Sequence, residues 1–256
     1  MDLKDFVTQK VDKWRQPVFD LKSMIQIQYT TDLKPADYLR FATKDLEQDL
    51  EHFHINALGN AKRAIDCMVD NLLAGFGLKR PRNFPAKLEV VQSLGLLAPR
   101  IVRKVVHVRN LLEHEYYRPS VSEVEDAVDV ATLFVEVAAR PFRKFMDTYF
   151  VADQTSSQSL SPEAIKKAIL EDAAPFEGYT FTESIFVEYD EEEHRFFLDL
   201  VSGNRCLREL TIPSKHPLYP RLIAFTIEHD ADHDVWDEKR SAMAFIDLLR
   251  EVQHAL

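Results

Sequence analysis

The hydrophobic period of this chain changes partway along, and that change limits the folds open to it. From Pro35 to about residue 150, apolar residues return every three or four positions, the spacing of helices with one buried face. From Tyr179 to Ile212 they alternate with polar residues, the spacing of strands with one buried face. One layer type cannot bury both patterns, so an α+β fold is expected. Its parts are an all-α domain over residues 1–150, a linker at 151–161 and a small α+β domain over 162–256. A chain of 256 residues is long enough to give each part a core.

Residues 2–15 place Leu3, Phe6, Val7, Val11 and Trp14 on one side of a helix that Pro17 stops. Residues 18–29 carry two patterns. Ile25 to Tyr29 alternates as a strand does, while Val18, Leu21, Met24 and Ile25 step as a helix does, and the helical reading is taken. Asp32 as a cap and Pro35 in the first turn start the next helix. It runs to about Leu73, with Gly59 as a point of division and Gly75-Phe76-Gly77 as its end. A short helix over 85–95 and a longer one over 98–117 follow. The last long helix opens on a capping box, either Ser120 with Glu123 or Ser122 with Glu125. It is broken or kinked at Pro141, and helix continues from Phe142 to Phe150.

Residues 152–161 are polar and low in complexity, as linkers are. Ser161-Pro162-Glu163 starts a short helix to about Glu171. Tyr179–Tyr189, His194–Val201 and Arg205–Ile212 then read as antiparallel hairpin strands, with Leu222–Glu228 as a fourth. A helix over 235–254 turns Val235, Ala242, Ile246 and Leu249 inward to cover the sheet.

The stretch that carries chemistry is Arg109-Asn110-Leu111-Leu112-Glu113-His114-Glu115-Tyr116, in the last turns of the 98–117 helix. Arg binds phosphate through a permanently charged fork. His exchanges protons near neutral pH. Asn110 and His114 share a helix face, whereas Arg109 lies about 140° from His114 on an ideal helix. The two converge only if the helix end unwinds or a second chain contributes. The plain structural alternative is that His114 and Tyr116 finish a core helix and Arg109 is a solvated charge.

This pattern, R-x-x-x-x-H-x-Y with a polar residue after the Arg, resembles the signature of HEPN domains, a superfamily of helical ribonucleases and toxins. The resemblance covers roughly residues 35–150 and implies an HEPN-like bundle. It implies an endoribonuclease without a metal or other cofactor, acting through the ribose 2′-OH of RNA. His114 would be general acid or base, Arg109 would stabilise charge on the scissile phosphate, and Asn110 would orient imidazole or phosphate. It also implies a homodimer through the helical domain, a role as toxin or in defence against phage, and an antitoxin or nucleotidyltransferase partner. In toxins with this motif that partner adenylylates the tyrosine, which makes Tyr116 a candidate modification site.

Charge is distributed to match. The net charge is −10, yet residues 79–118 hold nine Lys and Arg against three Glu. Arg103, Lys104, His107 and Arg118 are candidate phosphate contacts within that segment. The second domain is acidic, suited to selecting substrate or partner. Glu113 and Glu115 flank His114 and oppose bound phosphate. They favour the competing reading, a non-catalytic dimeric module that recruits a protein.

Other chemistry is sparse. Six glycines form no phosphate-cradling loop. Cys67 and Cys206 lie far apart and read as reduced core residues of a cytoplasmic protein. No apolar run approaches the length of a membrane span, and the first residues lack the pattern of a secretion signal. His52 and His54 diverge on a helix and read as surface or partly buried. Helical spacing would let His229 and His233 chelate a metal, but their run sits between a strand and a helix and reads as an acidic turn.

Overall fold

The computed structural model describes residues 3–48, 51–96, 99–154, 157–159, 179–181, 183–202, 205–229 and 238–253. Helices and sheet are both present, so the chain is α+β. It divides into two compact units, one of residues 1–24 with 146–256 and the other of residues 25–145. The first is therefore discontinuous in sequence, with the second placed between its two pieces.

The discontinuous unit is built on a five-stranded sheet ordered β1-β2-β5-β6-β7. These strands are β1 (Pro17–Ile25), β2 (Phe145–Asp153), β5 (Glu183–Asp190), β6 (Arg195–Ser202) and β7 (Arg205–Pro213). A separate two-stranded ribbon joins β3 (Ser157–Ser159) to β4 (Tyr179–Phe181). Strands β2, β5, β6 and β7 pair antiparallel, with Phe150 opposite Phe186 and Val187 opposite Leu198. The β1 strand runs antiparallel to β2. The Gln154 N–H donates to the Gln16 carbonyl at 2.8 Å, and Ser23 Oγ donates to the Asp147 carboxylate at 2.9 Å.

One face of this sheet is the core. Ile185, Val187 and Tyr189 of β5 and Phe196, Leu198 and Leu200 of β6 are buried by strict alternation. Among the described residues the unit also carries α1 (Leu3–Gln9), α8 (Tyr219–Glu228) and α9 (Glu238–Gln253). The Phe225 ring of α8 lies 5.8 Å from Phe19, 5.7 Å from Tyr149 and 5.2 Å from Phe245 of α9. Burial holds the phenols here in their neutral form, pushing Tyr219 up to about 12 and Tyr149 further. A 3-10 turn at Val11–Lys13 follows α1, and Asp12 within it pairs with Arg250 of α9 at 2.8 Å. Lys10 and Trp14 both donate to the Glu183 carboxylate of β5, at 2.8 and 3.2 Å.

Several expectations are corrected here. Residues 17–25 are a strand, because Phe19 packs among aromatic rings while Lys22 and Ser23 face solvent. Residues 1–24 leave the helical domain to which the sequence reading gave them. Helix does not continue to Phe150. Past the short α7 (Arg140–Arg143) the chain becomes β2, buried along nearly its whole length. The polar stretch 152–161 is no simple linker, since Ala152 and Asp153 end β2 and residues 157–159 form β3. Leu222–Glu228 is helical, led by Pro220 in its first turn, and its apolar run is buried on successive sides. His194 belongs to the β5–β6 turn with φ 48°, so β6 starts at Arg195. The short helix expected at 162–171 lies outside the described residues.

The second unit is helical. Its central helix is α3 (Glu51–Gly75), whose Leu58, Ala61, Ala64, Ile65, Met68 and Leu72 are fully buried. Helices α2 (Pro35–Leu46), α4 (Phe84–Ser93), α5 (Pro99–Glu115) and α6 (Val121–Ala138) pack against it. The division between α2 and α3 falls after Leu46 and not at Gly59, which sits within α3. Asp32 is not the cap of α2. Lys34 holds that place, and its N–H donates to the Asp37 side chain at 2.9 Å. Gly77 ends α3 at φ 58°, and the Leu78 N–H reaches back to the Leu73 carbonyl at 2.8 Å, a Schellman closure. The face of α6 is buried as its spacing requires, from Val124 through Ala138. Asn71 is wholly buried and fully used. Its Oδ1 accepts the Thr30 N–H at 2.7 Å, and its Nδ2 donates to Thr31 Oγ1 at 2.9 Å and the Cys67 carbonyl at 2.8 Å.

Gly75 sits where a helix meets an extended segment. A Cβ there would lie 2.7 Å from Ile27 Cγ2. Ile27 is buried, and its N–H donates to the Pro141 carbonyl at 3.1 Å, so it has little room to give. Gly75→Ala is expected to destabilise the protein by about 1–3 kcal/mol through overpacking. Urea denaturation measures this, and an unchanged midpoint would mean that the Ile27 segment moves aside freely.

Candidate functional site at the end of α5

The α5 helix begins at Pro99, a residue suited to the first turn, and ends after Glu115. Tyr116 follows in the left-handed region at φ 53°. A non-glycine residue there costs of order 1–2 kcal/mol, so the turn is held by its surroundings. Beyond it the Tyr117 hydroxyl donates to Glu123 at 3.1 Å, and Glu123 also accepts the Ser120 N–H at 2.8 Å. The capping box of α6 is thus Ser120 with Glu123, the first of the two alternatives. Its carboxylate ties the chain after α5 to the start of the next helix.

The side chains of Lys104, Arg109, Glu113 and His114 lie outside the described residues, so their positions are given by the backbone alone. Among the described side chains of α5, Val102 and Val105 are buried and Leu112 is half-buried. Residue 109 falls on that same line, seven after Val102 and four after Val105. Arg103, His107 and Asn110 are all exposed and form the opposite line, which residue 114 continues four positions after Asn110. The backbone therefore keeps positions 110 and 114 together and sets 109 apart.

Tyr116 is 91% exposed, more than any other large hydrophobic side chain among the described residues. Glu115 and Arg118 are exposed as well. Cations of the basic segment are already committed to ion pairs among the described residues. Arg80 Nε and Lys87 Nζ donate to Asp70 at 2.9 and 2.7 Å. Burial works to raise the Asp70 carboxyl, but these two partners outweigh it and hold it below the usual carboxylate range.

Glu123 offers a direct measurement on this turn. Hydrogen bonds from the Ser120 N–H and hydroxyl hold its carboxyl below the ordinary glutamate value. A depressed folded-state value means that the cap contributes above the unfolded glutamate pKa and is lost as pH falls through the folded one. NMR titration should therefore place Glu123 below a free glutamate, and Glu123→Gln should remove that acid transition. An ordinary Glu123 value would show that the cap does not hold in solution.

A second group of reactive side chains escaped the sequence reading. Asp199, Cys206 and Glu209 bring their ligand atoms within 4.8 Å of one another on β6 and β7. Cys206 is exposed on this last strand and Cys67 is half-buried, so neither is the core residue expected. Register between β6 and β7, which no spacing rule supplies, brings the three together. Of the His229–His233 run, only His229 is among the described residues. It closes α8, with Nδ1 3.0 Å from Ser241 Oγ. His52 is exposed and His54 half-buried, in keeping with their spacing.

Among the described residues no helix is long and apolar enough to cross a membrane. Compared with known proteins, the chain matches no family model, no curated protein and no solved structure.

Proposed function

We propose that the helical unit is a metal-independent endoribonuclease of the HEPN type, working in the cytoplasm as a toxin or defence effector. The observation that carries this reading is the surface line of α5. Asn110 and His107 are exposed along it, residue 114 continues it, and Arg103 extends it with positive charge. RNA laid along this line meets phosphate-binding groups first and the proton-transfer position at its end.

The chemistry needs only side chains. His114 withdraws the proton of the ribose 2′-OH, and the oxygen attacks the adjacent phosphorus. Arg109 balances the charge that builds on the phosphoryl oxygens. The 5′-oxygen leaves with a proton taken from water, His114 returns its own proton to the solvent, and the upstream fragment keeps a 2′,3′-cyclic phosphate. Five positions apart on one helix, 109 and 114 are separated by about 140°, so the working site pairs Arg109 of one copy with His114 of another in a homodimer. Tyr116, almost wholly exposed beside this line, is open to adenylylation by a partner nucleotidyltransferase.

A second reading is a non-catalytic interaction module. It is favoured by exposed Glu115, which repels phosphate next to residue 114, and by exposed Leu133 and Val137 on α6. Incubating the purified protein with structured RNAs in EDTA separates the two. Cleavage with cyclic phosphate ends supports the nuclease. Cleavage that EDTA abolishes rejects it, as does intact RNA from a protein whose Tyr116 is unmodified by mass.

A further inference from the structure

The β6–β7 hairpin carries an arrangement that the nuclease reading does not use. Asp199 of β6 stands directly opposite Glu209 of β7. Two carboxylates facing each other across strands destabilise a sheet unless a cation lies between them. Among the described residues, no Lys or Arg pairs with either one.

The third donor is present because the ladder is irregular. Residues 206 and 209 are three apart, and in a regular strand they would point to opposite faces. The register shifts between Leu200 and Val201. Arg208 pairs with Leu200, Cys206 pairs with Val201, and Leu207 has no opposite number. This bulge returns Cys206 to the face that carries Asp199 and Glu209, away from buried Leu198 and Leu200. The result is one sulfur and two carboxylate groups within 4.8 Å of one another, on an edge strand open to solvent.

We propose that Asp199, Cys206 and Glu209 form a binding site for a divalent cation of the zinc class. A thiolate with carboxylates suits zinc, whereas magnesium and calcium prefer oxygen alone. Metal–sulfur and metal–oxygen lengths of about 2.3 and 2.1 Å put ligand atoms roughly 3.5 Å apart, so modest side-chain rotation closes the set. Binding displaces the Cys206 proton to solvent and leaves a fourth position for water. The proposal is independent of the nuclease reading, and its site belongs to the other unit.

The test uses the full chain, stripped of metal and titrated with zinc chloride against a chromophoric chelator. One zinc ion per chain is expected, with a rise in melting temperature. Cobalt in its place should give the near-ultraviolet absorption of a thiolate–cobalt bond. Cys206→Ser should remove that band and weaken zinc by at least about tenfold. Cys67→Ser should change neither. Asp199→Asn should weaken zinc and raise the melting temperature of the metal-free protein, by relieving the facing charges. A loss of binding through misfolding would lower that temperature instead. The site is overturned if zinc at millimolar concentration does not bind, if Cys206→Ser binds as the wild type does, or if the band follows Cys67.

Discussion

Replacing His114 by Ala is expected to slow RNA cleavage by roughly 10²–10⁴-fold, the usual contribution of general acid–base catalysis. Arg109→Ala should cost a comparable factor, since developing phosphate charge loses its main partner. Truncation to Ala removes the stem of each side chain together with its reactive head. Arg109→Lys addresses this, because it keeps the stem and the charge but loses the planar fork that holds phosphate in two places. A nuclease predicts that this variant melts as the wild type does yet cleaves much more slowly. Mixing the His114 and Arg109 variants adds a check, since a mixed dimer regains one intact composite site and should recover part of the activity. If His114→Ala cuts as fast as the wild type, residue 114 is not the proton-transfer group.

Removing residues 1–24 should unfold the sheet unit outright. That segment supplies Phe6, Val7, Val11 and Phe19, each at most 2% exposed. Burying such side chains stabilises by about 1.5–3 kcal/mol each. Together they rival the 5–15 kcal/mol or so by which a whole domain is stable. The deletion also strips β2 of its neighbour on one side and breaks the links from Lys10, Trp14 and Asp12. The truncated chain is expected to lose its β-sheet circular dichroism and near-ultraviolet aromatic signal while keeping helical signal from residues 25–145. A truncated protein that melts as one cooperative species at the wild-type temperature would show that this unit closes without its first strand.

Elements whose sequence carries both a clean period and a stop signal were legible. The face of α6 returns at helical spacing from Val124 to Ala138, and Gly77 marks the end of α3. The pairs β5–β6 and β6–β7 followed from alternation around short polar turns. The failures have a common cause. The β2 strand is buried at Phe145 and Met146 and from Tyr149 to Asp153, so both of its faces are apolar and no alternation remains to be seen. The α8 helix is only ten residues long and nearly all apolar, and a short run of that kind fits strand and helix equally well. The β1 strand was obscured by the overlap of two periods in residues 18–29. At the candidate site, the helix that carries positions 109 to 114 was legible. The Asp199–Cys206–Glu209 group was not, because it depends on a bulge that only pairing between strands creates.

The insertion of the helical unit also sets an order of events during synthesis. The β1 strand leaves the ribosome before any of its sheet neighbours exists, and residues 25–145 must be made before β2 begins to emerge. At 5–20 residues per second that interval is roughly 6–24 s. Helical contacts form in microseconds, so residues 25–145 can complete their own fold within it. Phe6, Val7 and Phe19 meanwhile stay uncovered, and the edge of β1 stays unpaired until Phe145–Asp153 arrives. A nascent chain stalled near residue 140 should therefore bind a chaperone that grips exposed apolar segments, through residues 1–24, and one extended past Gln253 should let it go.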